Sequence, residues 1–279
     1  MRLGLSSFSF PWAIGVPGYT PPRPLDAVGL LEKAAELGAR LLQVCDNLPL
    51  HLLPEAELAA FERRANRLGV AVEVGTHGIG PEQLRTYLRL AQRLHSPIVR
   101  TVTDAGAHRA SEDEVVAALE SLVPAFEQAG VTLAIENHGR QTAGELISIL
   151  KRLDSPAAGI CLDTTNSFGS LESPDQVVEA LAPYAVNLHL KDFTIRRLSH
   201  QFGYIIEGAP LGQGRLDVPW VLELLHTTRK GSAPASAGGD CSAIIELWTP
   251  PEETLAATIA KQDDWARQSV AYLRQFVTE

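Results

Sequence analysis

Three carboxylates and one imidazole each close a short apolar run in this chain. They are Glu136 in LAIENHG, Asp163 in GICLDTTNS, His189 in VNLHLKD and Glu246 in AIIELW. A carboxylate buried at the end of a core strand is costly unless a cation or a hydrogen-bond network compensates it. Taken singly, each reads as a helix cap or an ion-pair partner. Four on four separate strands point to one shared compensator, and a divalent metal fits. The donors are oxygen-rich with one imidazole and no thiolate. That set suits Mn²⁺, the favoured ion, with Mg²⁺ or Co²⁺ next, better than structural zinc.

Weaker candidates surround these four. Lys191 lies two residues after His189 and so faces the same side of its strand. It is suited to polarising a carbonyl or binding a carboxylate, or else to pairing with a neighbouring acid. His77 closes VGTHG, either reaching substrate hydroxyls or hydrogen-bonding structurally. Arg196, Arg197 and His200 fall in a long connection. A guanidinium grips a carboxylate or phosphate as a fork, although a solvated loop charge is the simpler reading of either arginine. Trp12 and Trp248 lie in loops after strands, where apolar rings wall sugar pockets. Arg100 stands inside an apolar strand and needs a buried carboxylate partner. His138, two residues after Glu136, is expected to orient that carboxylate.

The elements that must position these groups alternate along the chain. Strands are expected at Leu3–Ser6, Leu41–Cys45, Ala71–Gly75, Ile98–Val102, Thr132–Glu136, Gly159–Asp163, Val186–Leu190 and Ala243–Leu247. Most are continuous apolar runs, as in parallel strands covered on both faces. Amphipathic segments near 25–38, 54–68, 81–94, 111–128, 142–152, 174–182, 217–228 and 253–276 separate them. Eight strand–helix pairs imply a single (β/α)₈ barrel over residues 1–279 rather than an open sheet. The turn after the first strand, SSFSFPWAIGVPGYT, also lacks a dinucleotide fingerprint. Two segments interrupt the rhythm. Residues 192–216 form a long active-site loop at the C-terminal face, and 229–241 a flexible loop at the opposite face. The GAPLGQG stretch reads as loop geometry rather than a nucleotide site.

Composition narrows the classes further. The chain has 33 acidic and 24 basic residues, a formal charge of −9, which argues against a nucleic-acid surface. Cys45, Cys161 and Cys241 are odd in number, form no CxxC and sit in apolar runs, so free buried thiols are expected. No signal peptide and no membrane span is expected, and the reading is cytoplasmic.

The stretches IENH, CLDTTNS, NLHLKDF, EGAPLGQGRLD and IIELW resemble the xylose-isomerase-like TIM-barrel superfamily of sugar isomerases, epimerases and related lyases. The resemblance covers roughly the C-terminal half. It implies a metal held by Glu136, Asp163, His189 and Glu246. It also implies that Glu136 and Glu246 are catalytic, moving protons on opposite faces of a ketose. Its members form dimers or tetramers, so a homo-oligomer is a possible partner state. Ketose epimerases carry a histidine three residues after the aspartate. Here that position is Asn166, a substrate-binding candidate that can hydrogen-bond but carries no proton at neutral pH.

The first expectation is therefore a metal-dependent isomerase or epimerase of a small keto-sugar or sugar acid, acting through an enediolate. Its substrate is small, polyhydroxylated and open to being anionic, with Lys191 or a loop arginine engaging it. The alternative is a lyase on the same site, either decarboxylating a 3-oxo sugar acid or dehydrating a keto acid. A zinc endonuclease conflicts with the −9 charge. A non-enzymatic scaffold would leave the acids merely paired with Lys and Arg.

Overall fold

The computed structural model describes residues 1–104, 109–228 and 241–277. Eight parallel strands close into a barrel. They are β1 (Arg2–Ser6), β2 (Leu41–Val44), β3 (Ala71–Gly75), β4 (Ile98–Thr101), β5 (Thr132–Glu136), β6 (Ala158–Asp163), β7 (Ala185–Leu190) and, after a two-stranded insertion, β10 (Ser242–Ile245). Each pairs with its neighbour in sequence around the ring, and β1 closes it against β10. Nearly every strand residue is buried, which is why the runs read as continuously apolar.

Helices cover the outside: α1 (Pro11–Ile14), α2 (Ala27–Glu36), α3 (Glu55–Leu68), α4 (Pro81–Leu94), α5 (Glu112–Glu120), α6 (Val123–Ala129), α7 (Ala143–Leu153), α8 (Pro174–Leu181), α9 (Val218–Thr228) and α10 (Leu255–Leu273). Their apolar faces join the outward strand residues in one core around the barrel. Gly69 and Gly130 take left-handed conformations just past α3 and α6, closing those helices. The segment expected as one helix over 111–128 is two. Pro124 has no N–H to continue a helix through Leu122, so the chain restarts with Pro124 in the first turn of α6.

The long connection after β7 is not an irregular loop. It holds an antiparallel hairpin, β8 (Asp192–Arg197) and β9 (Tyr204–Ala209), paired from Asp192–Ala209 to Arg197–Tyr204. The loop expected over 229–241 lies, apart from Cys241, outside the described residues. All three cysteines are buried, as their apolar surroundings implied.

Candidate metal centre

The C-terminal ends of β5, β6, β7 and β10 bring Glu136, Asp163, His189 and Glu246 together. All four are at most 1% exposed. Asp163 and His189 are register partners on adjacent strands. The Nδ1 of His189 is the hub: it lies 3.4 Å from Glu136 Oε2, 3.4 Å from Glu246 Oε1 and 3.9 Å from Asp163 Oδ2.

Local structure aims each donor. Asp163 Oδ1 accepts from the backbone N–H groups of Thr165 and Asn166 at 2.8 and 2.9 Å, which leaves Oδ2 pointing to the centre. Asn137 clamps the Asp163 peptide from both sides, donating to its carbonyl and accepting from its N–H. His189 directs Nε2 to Gln43 Oε1 at 2.7 Å, so Nδ1 faces the carboxylates. Among the described residues, Nδ1, Glu246 Oε1 and Asp163 Oδ2 have no hydrogen-bond partner, although the Lys191 ammonium lies 2.8 Å from the last of these. A buried imidazole nitrogen and two carboxylate oxygens facing one another without hydrogen bonds is the arrangement a cation would satisfy.

Two fixed cations already enter the cluster. Lys191 Nζ lies 2.8 Å from Asp163 Oδ2 and 2.9 Å from Glu246 Oε2. Arg100, buried in β4, donates through Nε to Glu136 Oε2, and its Nη1 lies 3.3 Å from Asp46 Oδ1. Gly75 makes room for it, because a Cβ there would stand 3.3 Å from the Arg100 Cδ and 2.6 Å from Cys45 Sγ. The three buried carboxylates Glu136, Asp163 and Glu246 face the Arg100 guanidinium and the Lys191 ammonium, which leaves net negative charge at the cluster for a cation to offset. Charge and donor chemistry both fit such an ion.

The same contacts set the basicity of the two glutamates. Burial alone would raise Glu136, but Arg100, with His189 and Lys191 beside it, holds the carboxyl well below its ordinary range. Its other oxygen accepts from Asn166 Nδ2 at 2.7 Å. Glu246 is likewise raised by burial and lowered further by His189 and Lys191. Burial lowers Lys191, yet Asp163 and Glu246 outweigh it and keep the ammonium charged.

The remaining candidates divide. Lys191 and Asn166 are in the cluster. Trp248, 40% exposed, places its ring 5.6 Å from the Lys191 ammonium and walls the mouth. Trp12 is half-buried and donates its indole N–H to the Thr249 carbonyl, so it braces the loop carrying Trp248. His77 is largely exposed and meets Asp46 at 3.5 Å, connecting to the centre only through Asp46 and Arg100. Arg196 and Arg197 are not brought to the acids. They lie on the exposed half of the hairpin, Arg196 bound to Glu207 at 2.8 Å and Arg197 to the Tyr204 hydroxyl, because β8 carries them outward from Asp192. His200 is exposed at the hairpin tip. His138 turns away from Glu136 and meets Asp104 at 3.7 Å.

The buried partner that Arg100 needs is Glu136, a pairing its place inside a strand does not reveal. Asp192 has no strand-end position to mark it in the sequence either. That buried carboxylate accepts from the N–H groups of Gly212, Gly214 and Leu216 at 2.9–3.0 Å and folds the GAPLGQG stretch back on the hairpin. A Cβ on Gly214 would stand 2.1 Å from the Asp192 carboxylate, which is why glycine is needed there. The signal was the polar residue directly after Lys191 in NLHLKDF.

Residues 31–276 match the sequence model of a family described as xylose isomerase-like TIM barrel. The chain belongs to that family. The chain is 34% identical over 273 residues to a 3-oxo-isoapionate decarboxylase of Pectobacterium atrosepticum, covering 98% of this chain and 95% of the relative. Among solved structures with the family's barrel, a D-psicose 3-epimerase determined in the presence of D-fructose superposes with TM-score 0.71 at 16% identity, covering 99% of each chain. A xylose isomerase-like TIM-barrel protein of Mycobacterium smegmatis in complex with magnesium superposes with TM-score 0.68 at 15% identity, covering 97% of each. At those identities the likeness is one of fold.

Proposed function

We propose that this chain is a divalent-metal-dependent decarboxylase of a 3-oxo sugar acid. Glu136, Asp163, His189 and Glu246 would hold the ion, with Mn²⁺ favoured over Mg²⁺ or Co²⁺. The observation that carries the reading is the state of Glu136. Both of its oxygens are engaged, one by Arg100 and one by Asn166. A carboxylate so held is a weak base for removing a C–H proton. Decarboxylation of a 3-oxo acid needs no such base, because the departing CO₂ leaves its electron pair on the substrate. The full-length likeness to a decarboxylase supports the same choice.

When bound, the ion supplies a Lewis acid that draws electron density toward the substrate carbonyl. The chain supplies the rest. The Lys191 ammonium, kept charged by Asp163 and Glu246, attracts the substrate carboxylate and orients it at the mouth. The bond between the carboxyl carbon and C2 breaks, its electron pair moves into C2–C3, and the carbonyl oxygen takes up negative charge. A solvent proton then adds at C2. Lys191 is poorly suited to donate that proton, since its neighbours stabilise the charged form. Asn166 can accept or donate a hydrogen bond to a substrate oxygen, and Trp248 offers an apolar wall.

Epimerisation is the second reading. It is favoured by Glu246, whose Oε1 has no hydrogen-bond partner among the described residues and could face a substrate carbon. One experiment separates the two. Candidate 3-oxo sugar acids are incubated with the chain and Mn²⁺ in deuterated water, and products are weighed by mass spectrometry. Release of CO₂ with one deuterium in the product is expected. Deuterium uptake without loss of mass would replace decarboxylation by epimerisation.

The implied partner is a small, anionic, polyhydroxylated substrate. A cytoplasmic setting is supported by three cysteines buried in apolar runs without a CxxC pair. Among the described residues no helix is long and apolar enough to cross a membrane. A homo-oligomer remains the expectation for assembly, and light scattering measures it.

A further inference from the structure

Beneath the acid cluster the barrel interior is polar. Gln43 of β2, Glu73 of β3, Asn187 of β7 and Ser242 of β10 are all at most 2% exposed. TIM-barrel interiors are usually filled by bulky apolar side chains, so this layer asks for a reason. With Glu73 as an ionised acceptor, the layer's hydrogen bonds run in one consistent direction. Gln43 Nε2 lies 3.1 Å from Glu73 Oε2 and 3.1 Å from Asn187 Oδ1. Asn187 Nδ2 in turn faces Ser242 Oγ at 2.6 Å and Glu73 Oε2 at 3.4 Å, so its Oδ1 is an acceptor. Gln43 must then turn its two N–H bonds toward Glu73 and Asn187 and its carbonyl oxygen toward His189 Nε2. The Cys45 thiol, 3.5 Å from that carbonyl, is a second donor to it. A carbonyl oxygen cannot donate, so His189 Nε2 must carry the hydrogen.

We propose that Gln43 is a positioning residue for the metal centre: it holds His189 with hydrogen on Nε2 and the Nδ1 lone pair presented to the cation, and Glu73 with Asn187 locks Gln43 in that orientation. The inference rests on the metal reading above and deepens it. A ligating histidine whose second nitrogen donates to a fixed acceptor is oriented and more basic toward the ion. Replacing the amide by an apolar side chain would leave the ring free to rotate or to exchange its hydrogen.

The test begins without metal. Long-range proton–nitrogen correlation spectra of the full chain with ¹⁵N-histidine, at roughly pH 8 and so above the ordinary imidazole range, show which ring nitrogens carry hydrogen. The His189 signals are those missing from His189→Gln. Hydrogen on Nε2 with a bare Nδ1 is expected; a bare Nε2, or hydrogen on both nitrogens, overturns the proposal. Mn²⁺ affinity is then measured by calorimetry. Gln43→Met, near in size but without the amide, should weaken binding by about 10–100-fold. Glu73→Leu should do likewise, whereas Glu73→Gln, which still offers a carbonyl to Gln43, should recover most of the loss. Unchanged affinity in a folded Gln43→Met also overturns the proposal, and if that variant does not fold the wild-type spectrum decides alone. A wild-type chain that carries hydrogen on Nε2 yet takes up no divalent ion overturns the metal reading instead and leaves the His189–Gln43 bond standing.

Discussion

Arg100 and Lys191 divide the pairing with three buried carboxylates, and they do it differently. Arg100 is 4% exposed and bound to Glu136, Asp46 and the Thr76 carbonyl at once, so it is a fixed part of the wall. Removing one partner of a buried ion pair leaves an uncompensated charge. Arg100→Met is expected to lower the unfolding free energy of the metal-free chain by about 3–5 kcal/mol, read from urea denaturation; a change near zero would mean that Glu136 is not buried as a carboxylate. Lys191 instead sits between Asp163 and Glu246, where it competes with an incoming cation for the same carboxylates. Lys191→Met should therefore bind Mn²⁺ at least as tightly as wild type while losing CO₂ release by on the order of 10²-fold, the size of a lost charge contact to the transition state. Loss of both together would make Lys191 structural. At this scale the sequence was informative. Glu136, Asp163, His189, Glu246 and Lys191 were legible because each closes or follows an apolar run. Gln43, Glu73 and Asn187 carried the same signal, a polar residue inside a buried strand, but without a strand-end position to mark them. The aim of Arg196, Arg197 and His138 was not legible, because in a loop or just past a strand end spacing no longer dictates direction.

The hairpin of β8 and β9 joins the centre to the surface. An isolated two-stranded hairpin is marginal in water. This one is anchored at its base, where Asp192 gathers three backbone N–H groups and Phe193 packs edge-on against Phe168 at 4.8 Å. Its outer half carries Phe202 and Tyr204 into solvent. Gly214→Ala should disturb this anchor, since the added Cβ meets the Asp192 carboxylate. The expected result is a raised KM with Mn²⁺ affinity intact, because the ligands lie on other elements; unchanged KM would detach the hairpin from the pocket. Arg196→Ala, on the outer half, should leave kinetics for an anionic substrate unaltered, and a higher KM would return that arginine to the site. The strands of the barrel were legible from their length and apolar continuity. The hairpin was not: YIIEGA and DFTIRR alternate weakly, and their pairing depends on the Asp192 anchor, a contact across about twenty residues.

At the scale of the molecule, closure of the barrel turns four separate strand ends into one site, so folding and ion binding are linked. Saturating Mn²⁺ at 100 times its dissociation constant should add about 2.7 kcal/mol to stability, visible as a chelator-reversible rise in Tm. Acid should act in the opposite sense. Glu136 and Glu246 are held below the ordinary carboxyl value of 4.5, burial being outweighed by Arg100 and His189. A group depressed in the folded state contributes stability above its unfolded pKa and loses it as pH falls toward the folded one. Urea denaturation of the metal-free chain should thus show stability declining as pH is lowered below 4.5, and Arg100→Met should flatten that decline. The most direct measurement is a calorimetric Mn²⁺ titration of the wild-type chain beside His189→Ala and Glu246→Gln. One ion per chain is expected for the wild type, with binding lost in both variants while their circular dichroism stays native. Absence of binding in the wild type, or equal binding in all three, would contradict the account.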